Sequence, residues 1–582
     1  MLVFQQVGSI CSQKFKTMKT MKSHFSSARV KALVCLFVFL SSRCSDPDQL
    51  ISPLPVNPDS AAGNWVNLMD ELFYDPGTIV QKGNSIQEAL DAAGPGEVIY
   101  VEPGVYREEV IIDKPGIKLV GLHRGDGEMV VIDEPGTLQK TIAQTGRGVD
   151  ARILNIMYPH TAGDDTRGDA RRSGKKKGEF QPTKTEISPG VFHYQFSLRL
   201  GEHAFDVVRI HRVVREGRSS RPLRAKGAVF MLHGASLTFE SIFLKAGATD
   251  ATAETSPAVY LAENNIDVWG MDFAWTLVPP ETTDFSFMAD WGIERDAAHA
   301  LAAVSVARLI RGLSGQGFGK LNVLGYSYGG AVAYAAAGRE TQQHPILRDV
   351  RGIVAVDQVL KYAETEEDNR LLACTAATNT LQMINDGVYH SNGGQVFSLF
   401  AARANAAPDG PSEFIPGLTN YQASLFVGTS TFALPNATTP IWHFVGGDFS
   451  DGNFPFPKGL LYADPSRWIG LLASLPPYQP TLTVYEARAC LCDEADVRID
   501  DHIGEISLPI LYLGAGGAFG ELGNHTASLT SSQDITNHTI SLQPENAVAD
   551  FGHADLFLGT DAPDLVWSVL RQWLVNHSRA MM

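Results

Sequence analysis

The sequence predicts an α/β protein whose largest part is a parallel sheet covered by helices on both faces. Three observations predict it. Short apolar runs alternate with helical patterns from about residue 185 onward. A long aromatic-rich insertion separates the last of these runs from the others, and a small β-rich region broken by Pro-Gly pairs precedes them all. Continuous apolar runs are typical of parallel strands, which are buried between two layers of helices.

The composition sets the scale of the molecule. The chain has 582 residues, of which 44% are apolar and 19% charged, and its formal net charge is -17. A chain of this length can bury a large core and exceeds one ordinary domain. The negative charge argues against a nucleic-acid partner, because such proteins neutralise phosphates with basic surfaces.

Residues 1–44 have the pattern of a secretory signal. They contain seven Lys and Arg residues, no acidic residue, and the apolar run ALVCLFVFL at 32–40. A basic segment, a short apolar core and a small polar stretch are typical of such signals. The run is too short to cross a bilayer, which takes about 20 residues. We therefore expect a secreted, cell-surface or periplasmic protein without an integral membrane span. Cys44 is a possible lipoprotein anchor, although Arg43 does not suit that signal.

Three downstream cysteines are Cys374, Cys490 and Cys492. In an oxidising compartment Cys374 could pair with either of the other two. Buried free thiols are the alternative, and the sequence does not decide between them. No cysteine or histidine spacing suggests a zinc site.

The region 45–159 is predicted to be rich in short strands. Within it, a short helix at 85–93 precedes strands at 97–101, 108–112 and 117–120, with Pro-Gly pairs between them. The stretch from Gly96 to Tyr106 (GEVIYVEPGVY) resembles the start of a right-handed parallel β-helix of the pectin-lyase-like kind. Two to four coils are too few for a complete β-helix, which buries its faces by stacking many coils. This argues against a pectin-cleaving site and favours a packing or glycan-binding role.

A basic stretch at 160–184 is predicted to be a solvated linker, and the second domain is placed at 185–578. Its pattern alternates apolar strands with helices, the clearest helix being 293–313. The predicted strands are 228–232 (AVFML), 267–271 (DVWGM), 321–324 (LNVL), 352–356 (GIVAV) and 508–513 (LPILYL).

The segment KLNVLGYSYGGAVAYAAA at 320–337 contains the strongest chemical signal. A strand leads into Gly325-Tyr326-Ser327-Tyr328-Gly329, and an Ala-rich helix follows. G-x-S-x-G between a strand and a helix is typical of a nucleophile elbow, in which a tight turn exposes the serine at a helix N-terminus. The alternative is an ordinary Gly-rich turn. We identify Ser327 as the candidate nucleophile.

With this elbow, the second domain resembles the α/β-hydrolase fold over its whole length. The resemblance implies an oxyanion loop at His233-Gly234-Ala235, so that the N–H groups of Ala235 and Tyr328 would bind the oxyanion. It implies a structural role for His233. It also implies that the histidine of the late Gly-His motif, His553, is the general base.

The acid that would complete a Ser-His-acid triad is less clear, because the loop that usually carries it in this fold has no carboxylate. The loop after strand 508–513 reads GAGGAFG and has no carboxylate. It is not a dinucleotide fingerprint, since the third glycine of G-x-G-x-x-G would fall on Phe519. Asp357, at the end of strand 352–356, is the preferred acid, and some lipases of the family carry their acid there. Glu521 is the alternative, followed by Asp550 or Asp555.

The insertion at about 360–505 is predicted to be a cap over the active site. It is rich in aromatic residues, some of which we expect to line an apolar pocket. The whole pattern predicts a secreted serine hydrolase that cleaves small or lipid-like carboxylic esters through an acyl-enzyme, without a metal or organic cofactor. A thioesterase, an acyltransferase or an aminopeptidase on the same fold remains open. So does a non-catalytic glycan-binding surface protein.

Overall fold

A computed structural model of the chain describes residues 78–157 in short segments and residues 182–578 apart from 202, 218–220, 432–442 and 494–495. The predicted signal at 1–44, with Cys44, and most of the predicted linker at 160–184 lie outside the described residues. In the part that is described, no helix is both long enough and apolar enough to cross a membrane.

The strands between residues 78 and 157 pair in parallel in three separate sets. The first set is Thr78–Val80, Val98–Val101, Lys118–Gly121 and Arg152–Leu154; the second is Gly104–Tyr106, Val130–Ile132 and Ile156–Met157; the third is Val110–Ile112 and Ile142–Gln144. From the second strand onward, every third strand along the chain belongs to the same set. The first strand pairs with the second. A β-helix for this region remains a prediction.

A short helix, Ile86–Ala92, lies beside these strands. Ser85 caps it, because its side chain accepts a hydrogen bond from the N–H of Glu88. Its buried face consists of Ile86 and Leu90, which join a small apolar core with the buried strand residues.

The second part of the chain is organised by a sheet of nine strands. In chain order they are β1 (Thr183–Ser188), β2 (Val191–Arg199), β3 (Val207–Arg215), β4 (Gly227–Leu232), β5 (Ile266–Asp272), β6 (Leu321–Tyr326), β7 (Val350–Val356), β8 (Ile510–Ala515) and β9 (Ile535–Ile540). Their order across the sheet is β1-β2-β3-β5-β4-β6-β7-β8-β9.

The sheet is mixed, whereas the sequence predicted a parallel one. The six strands from β4 onward are parallel to each other, and β1, β2 and β3 form an antiparallel meander that joins them through β5. The sequence predicted the five parallel strands β4 to β8 because each is a continuous apolar run, but not β9, whose residues ITNHTI are mostly polar. It missed the meander because its strands carry charged and aromatic side chains at partly exposed positions.

The parallel strands β4 to β8 are buried on both faces, as their apolar runs predicted, whereas β9 at the edge of the sheet is partly exposed. Alternate residues of β4 show why: Val229 and Met231 belong to one core cluster, whereas Phe230 and Leu232 belong to another. Successive side chains on a strand point to opposite faces, so each face has its own core beneath a layer of helices.

Helices follow the strands and also make up most of the insertion between β7 and β8. They are α1 (Pro257–Glu263), α2 (Ile293–Leu313), α3 (Tyr328–Thr341), α4 (Glu367–Asn385), α5 (Gly393–Ala406), α6 (Asn420–Thr429), α7 (Pro465–Ala473), α8 (Thr481–Cys492), α9 (Gly523–Ser528), α10 (Asp555–Leu558) and α11 (Ser568–Asn576). The predicted helix at 293–313 is α2. The last helix begins as a π-helical turn, Pro563–Trp567, and continues as α11.

Helices α4 to α8 lie in the connection between β7 and β8, which is the insertion predicted to be a cap. A disulfide joins Cys374 on α4 to Cys492, the last residue of α8. Cys490 is a buried free thiol. Of the two pairings left open by the sequence, the structure therefore has the one with Cys492.

Candidate active site

Ser327 occupies a strained turn between β6 and α3. Its backbone has φ 53° and ψ -120°, a left-handed conformation that non-glycine residues rarely adopt. A Cβ on Gly325 would lie 2.1 Å from the carbonyl oxygen of Gly329, and one on Gly329 would lie 2.2 Å from that of Leu232. The glycines of the G-x-S-x-G motif are therefore required by space, and the turn presents Ser327 at the helix N-terminus.

Asp357 directly follows β7, the strand beside the nucleophile strand. It is fully buried, and its Oδ2 lies 2.6 Å from Nδ1 of His553. A carboxylate can only accept, so Nδ1 carries the proton and Nε2 is left to act as a base. The structure therefore joins the two residues that the sequence assigned as acid and base, although 196 positions separate them.

The end of β8 and the glycine-rich loop that follows it hold this carboxylate through backbone N–H groups. The N–H of Ala515 donates to Oδ1 of Asp357 at 2.9 Å, and the N–H of Phe519 faces Oδ2 at 3.5 Å. The ring of Phe519 meets the ring of His553 edge-on, with centroids 5.9 Å apart. A loop without a carboxylate thus positions the carboxylate of the neighbouring strand.

The other carboxylates considered for the triad lie elsewhere. Glu521, the alternative acid, is exposed to solvent, whereas His553 is buried with its Nδ1 on Asp357. Asp550 accepts hydrogen bonds from the N–H groups of Leu542 and Phe551 at 2.6 and 2.7 Å. It therefore fixes the segment that leads to His553.

Asp555 also stabilises the loop that carries His553. Its Oδ2 accepts from the N–H groups of Gly446 and Gly552, both at 2.8 Å. Burial raises the pKa of Asp555 to about 7, against the opposing effect of these two bonds. Tyr326 adds a contact, because its ring stacks on that of His553 with centroids 4.6 Å apart. The imidazole is thus fixed on several sides before any substrate enters.

The segment predicted to form the oxyanion site follows β4. His233 is fully buried; its Nδ1 lies 2.8 Å from the carbonyl oxygen of Gly234, and its Nε2 accepts from the N–H of Phe273. Burial lowers the pKa of His233 to about 4, so the ring is neutral. It holds the loop, while Ala235 is exposed to the cavity that Ser327 also lines.

Tyr328, the other predicted oxyanion residue, opens α3. Its N–H belongs to the first turn, where helical N–H groups have no partner within the helix. Its hydroxyl donates to the buried Asp296, which also accepts from the indole N–H of Trp275. Burial raises the pKa of Tyr328, and Asp296 adds to this effect, so the hydroxyl remains a donor. The side chain thereby anchors the helix start on which the elbow depends.

A cavity of about 420 Å³ opens above Ser327 and His553. The cap supplies most of its apolar wall, which includes Phe397, Phe444, Trp468, Leu471, Leu472, Leu475, Val484, Ala487 and Leu491. A volume of this size suits a small organic ligand, since such pockets span about 300–1,000 Å³.

One group of side chains has the composition of a metal site. His193, His211 and Glu240 have ligand atoms within 4.8 Å of each other. However, Nε2 of His193 and Nδ1 of His211 lie 2.9 Å apart in rings that are coplanar within 5°. Their nitrogens face each other in a hydrogen bond and do not converge on a third point, and the other nitrogen of His211 lies 3.1 Å from Asp272. We assign this group to the structure of the sheet and not to a metal.

The strand order, the turn between β6 and α3, and the loop with His553 after the last strand together form an α/β-hydrolase fold. No family model matches the chain, and no curated protein matches it. The fold assignment therefore rests on the topology and on the local geometry.

Among solved structures, a protein from Sulfolobus solfataricus provisionally described as a lipase is 19% identical, with a TM-score of 0.47; the match covers 68% of this chain and 99% of that one. A soluble variant of monoglyceride lipase from Saccharomyces cerevisiae is 12% identical, with a TM-score of 0.34, over 70% and 98% of the two chains. A thioesterase domain from the curacin biosynthetic pathway is 13% identical, with a TM-score of 0.30, over 68% and 100%.

Proposed function

We propose that this chain is a serine hydrolase that cleaves carboxylic esters through Ser327, His553 and Asp357. The observation that carries the proposal is the buried hydrogen bond between Asp357 and His553 beside a serine held at positive φ. A nucleophile, a base and a carboxylate that orients the base are the parts that acyl transfer requires. The apolar cavity above them suits the hydrocarbon parts of an ester.

In the proposed reaction, His553 Nε2 removes the proton of the Ser327 hydroxyl as Oγ attacks the ester carbonyl. The negative charge of Asp357 stabilises the imidazolium that forms. The tetrahedral intermediate then collapses, the ester C–O bond breaks, and the imidazolium gives its proton to the departing alcohol. Water, activated by the same imidazole, cleaves the acyl-enzyme and releases the acid.

The oxyanion of the intermediate would be bound by the N–H groups of Ala235 and Tyr328. Two features support this assignment: Ala235 lies in the loop fixed by the buried His233, and Tyr328 begins the helix behind the nucleophile. A helix N-terminus favours negative charge at this position. Donors fixed in advance stabilise the transition state without reorganisation.

We further propose that the protein is exported and that residues 1–44 direct the export. The disulfide between Cys374 and Cys492 supports this, because disulfides persist in oxidising compartments. A packing or glycan-contacting role for the region 45–159 remains part of the proposal. Identification of the N-terminal residue of the protein recovered from the culture medium or cell surface tests the export.

The esterase proposal is tested with p-nitrophenyl esters of increasing acyl length, using Ser327→Ala as the control. We expect hydrolysis by the wild type, and a loss of turnover of about 10⁶-fold in the variant. A fluorophosphonate should label the wild type and not Ser327→Ala. Absence of both turnover and labelling would overturn the proposal. Faster transfer of the acyl group to an added alcohol than to water would indicate an acyltransferase. A preference for thioesters over esters would indicate a thioesterase.

A further inference from the structure

The cavity above Ser327 has two apolar walls that come from different parts of the chain. The first, which we call the aromatic wall, consists of Phe397, Phe444 and Trp468. The second, which we call the aliphatic wall, consists of Val359, Val484, Ala487 and Leu491. The aromatic wall packs with leucines of α7 in one core cluster, whereas Val359 and Leu491 belong to a separate cluster. An ester bound at Ser327 can therefore place its two halves in different surroundings.

The backbone of Phe444 is fixed to the loop that carries His553. The carbonyl oxygen of Phe444 accepts a hydrogen bond from the N–H of Ala554 at 2.7 Å. The carbonyl oxygen of the preceding residue, His443, accepts one from the N–H of His553 at 3.1 Å. The two segments lie so close that a Cβ on Gly552 would be 2.6 Å from the carbonyl oxygen of Phe444. The aromatic wall therefore has a defined position beside the imidazole.

Aromatic rings surround this imidazole. The ring centroids of Tyr326, Phe519 and Phe444 lie 4.6, 5.9 and 6.1 Å from that of His553. All three residues also line the cavity. A substrate group that approaches the imidazole from the cavity therefore meets aromatic surfaces first.

The aromatic wall forms a corner of ring faces and ring edges. The ring of Phe444 stacks with that of Trp468, with centroids 5.9 Å apart, and the ring of Phe397 meets Phe444 edge-on at 6.2 Å. Phe397 lies one helical turn after Gly393, which lines the cavity as well, so this face of α5 is directed toward the cavity. Phe397 and Phe444 are only partly buried. Such a corner offers another ring the offset-stacked and edge-to-face arrangements that aromatic groups prefer.

The aliphatic wall lies beside the helix that follows the nucleophile. Ala331, in the first turns of α3, lines the cavity together with this wall. Gln358, the residue before Val359, packs on the same helix, because a Cβ on Gly330 would lie 2.7 Å from the Cβ of Gln358. The aliphatic wall is therefore associated with the nucleophile helix, and the aromatic wall with the loop of His553.

Proton transfer decides which half of an ester meets the aromatic wall. In the proposed reaction, Nε2 of His553 gives its proton to the oxygen of the departing alcohol. This oxygen must lie within hydrogen-bond reach of the imidazole. The alcohol half then extends from the imidazole along the aromatic wall, and the acyl half, which stays on Ser327, is left to the aliphatic wall.

We propose that the natural substrate is an ester whose alcohol half carries an aromatic ring, and that this ring binds against Phe444 and Phe397. This inference rests on the proposed esterase function. The faces and edges of aromatic rings carry opposite partial charges, so a further ring gains more from this corner than the burial of its area alone. A saturated ring of similar size would fill the same space without that gain.

The test compares aromatic with saturated rings on each half of the ester. The alcohol-side pair is phenethyl butyrate and cyclohexylethyl butyrate, and the acyl-side pair is ethyl phenylbutyrate and ethyl cyclohexylbutyrate. Methylene groups separate the ring from the reacting carbonyl in all four esters, so the two members of a pair have similar intrinsic reactivity. We expect the wild type to favour phenethyl butyrate by about 2- to 10-fold in kcat/KM. The acyl-side pair should show no preference for the aromatic ring.

Two variants test the aromatic wall itself. Phe444→Leu keeps the backbone bonds to the loop of His553 and should remove the alcohol-side preference, while the acyl-side ratio stays as in the wild type. Phe397→Leu should lower the same preference and gives an independent result if Phe444→Leu does not fold. Phe456→Leu is the matched control, because Phe456 stacks on Phe426 in the same insertion and is not among the described residues that line the cavity.

The ratio between two esters separates this inference from the proposed function. Changes in catalysis that affect both esters cancel in the ratio. Equal kcat/KM for the alcohol-side pair in a wild type that hydrolyses both esters would overturn the inference while the esterase function stands. A preference that survives in both Phe444→Leu and Phe397→Leu would also overturn it.

A binding measurement keeps the aromatic wall testable if no ester is cleaved. In the Ser327→Ala background, N-phenethylbutyramide should raise the Tm more than N-cyclohexylethylbutyramide does, and Phe444→Leu should abolish that difference. Absence of any ester turnover and of fluorophosphonate labelling in the wild type would count against the proposed function. Equal Tm shifts with the two amides, or no shift with either, would contradict the role of the aromatic wall.

Discussion

Strands β7 and β8 lie side by side, and their ends differ in chemistry. The end of β7 carries a carboxylate, Asp357, whereas the end of β8 carries the loop LGAGGAFG without one. The first supplies the negative charge at His553, and the second supplies the backbone N–H groups of Ala515 and Phe519 that hold this charge. One strand end therefore supplies the carboxylate, and the end of the neighbouring strand holds it in position.

This division explains why the β8 loop is so rich in small residues. A Cβ on Gly516 would lie 2.3 Å from a carboxylate oxygen of Asp550, and one on Gly517 would lie 2.3 Å from the ring of His443. The loop therefore packs directly against Asp550, in the segment that leads to His553, and against His443 of the insertion. A side chain at these positions, including a second carboxylate, would have no room.

The largest effect is expected from the end of β7. Asp357→Asn should lower kcat by about 10⁴-fold, because the amide favours the wrong tautomer of His553. Asparagine retains an acceptor for the loop N–H groups, so the fold should be kept, as circular dichroism can confirm. The measurement is turnover of a p-nitrophenyl ester. A kcat close to that of the wild type would remove Asp357 from the site.

At the end of β8, Gly517→Ala tests the positioning role. The added methyl group must displace His443 or the loop itself, which costs about 1–3 kcal/mol of stability. Displacement of the loop shifts the groups that hold Asp357, and a misplacement of about 1 Å can lower the rate by about 10²-fold. Thermal unfolding and kcat measure the two effects. Gly319→Ala is the matched control, since its Cβ would meet nothing within 4 Å.

The loop that carries His553 should show a pH dependence of its own. The pKa of Asp555 is raised from 3.8 to about 7 in the folded protein, so folding favours its protonated form. Its contribution to stability is therefore complete below about pH 4 and is lost as the pH rises to about 7, on the order of 4 kcal/mol. Asp555→Asn should flatten this part of the profile. Urea unfolding at pH 5 and pH 8 measures the free energy of unfolding of the wild type and of Asp555→Asn. The same change between the two pH values in both proteins would contradict the raised pKa of Asp555.

The smallest effect is expected from the ring of Phe519. Phe519→Ala keeps the backbone N–H that faces Asp357 and removes the edge-on contact with His553. Such an aromatic contact is worth about 0.5–1.5 kcal/mol, so kcat/KM should fall by about 2- to 10-fold. A loss as large as that of Asp357→Asn would mean that the ring, and not the N–H group, is the main contribution of the β8 loop.

The sequence allowed the residues of the candidate site to be proposed where the chemistry leaves a local pattern. Ser327 stands in a glycine motif required by a tight turn, and Asp357 ends a clear apolar strand. The N–H groups that hold Asp357 leave no such pattern, because any residue type except proline supplies one. They could be found only when the structure placed Ala515 beside Asp357, 158 positions apart in the chain.

The cap was harder to predict for a different reason. The insertion between two strands is evident from the sequence, but which of its residues line the cavity depends on the packing of helices far apart in sequence. The disulfide shows the same limit: Cys490 and Cys492 are two positions apart on one helix and face different directions, so the partner of Cys374 depends on the rotation of α8.

The central claim is that Asp357, and not a residue of the β8 loop, accepts the hydrogen bond from Nδ1–H of His553. Proton NMR of protein labelled with ¹⁵N-histidine tests it directly, because a proton in a short histidine–carboxylate hydrogen bond resonates far downfield. We predict that this resonance is present in the wild type and in Glu521→Gln and absent in Asp357→Ala. Its persistence in Asp357→Ala, or its loss in Glu521→Gln, would contradict the account.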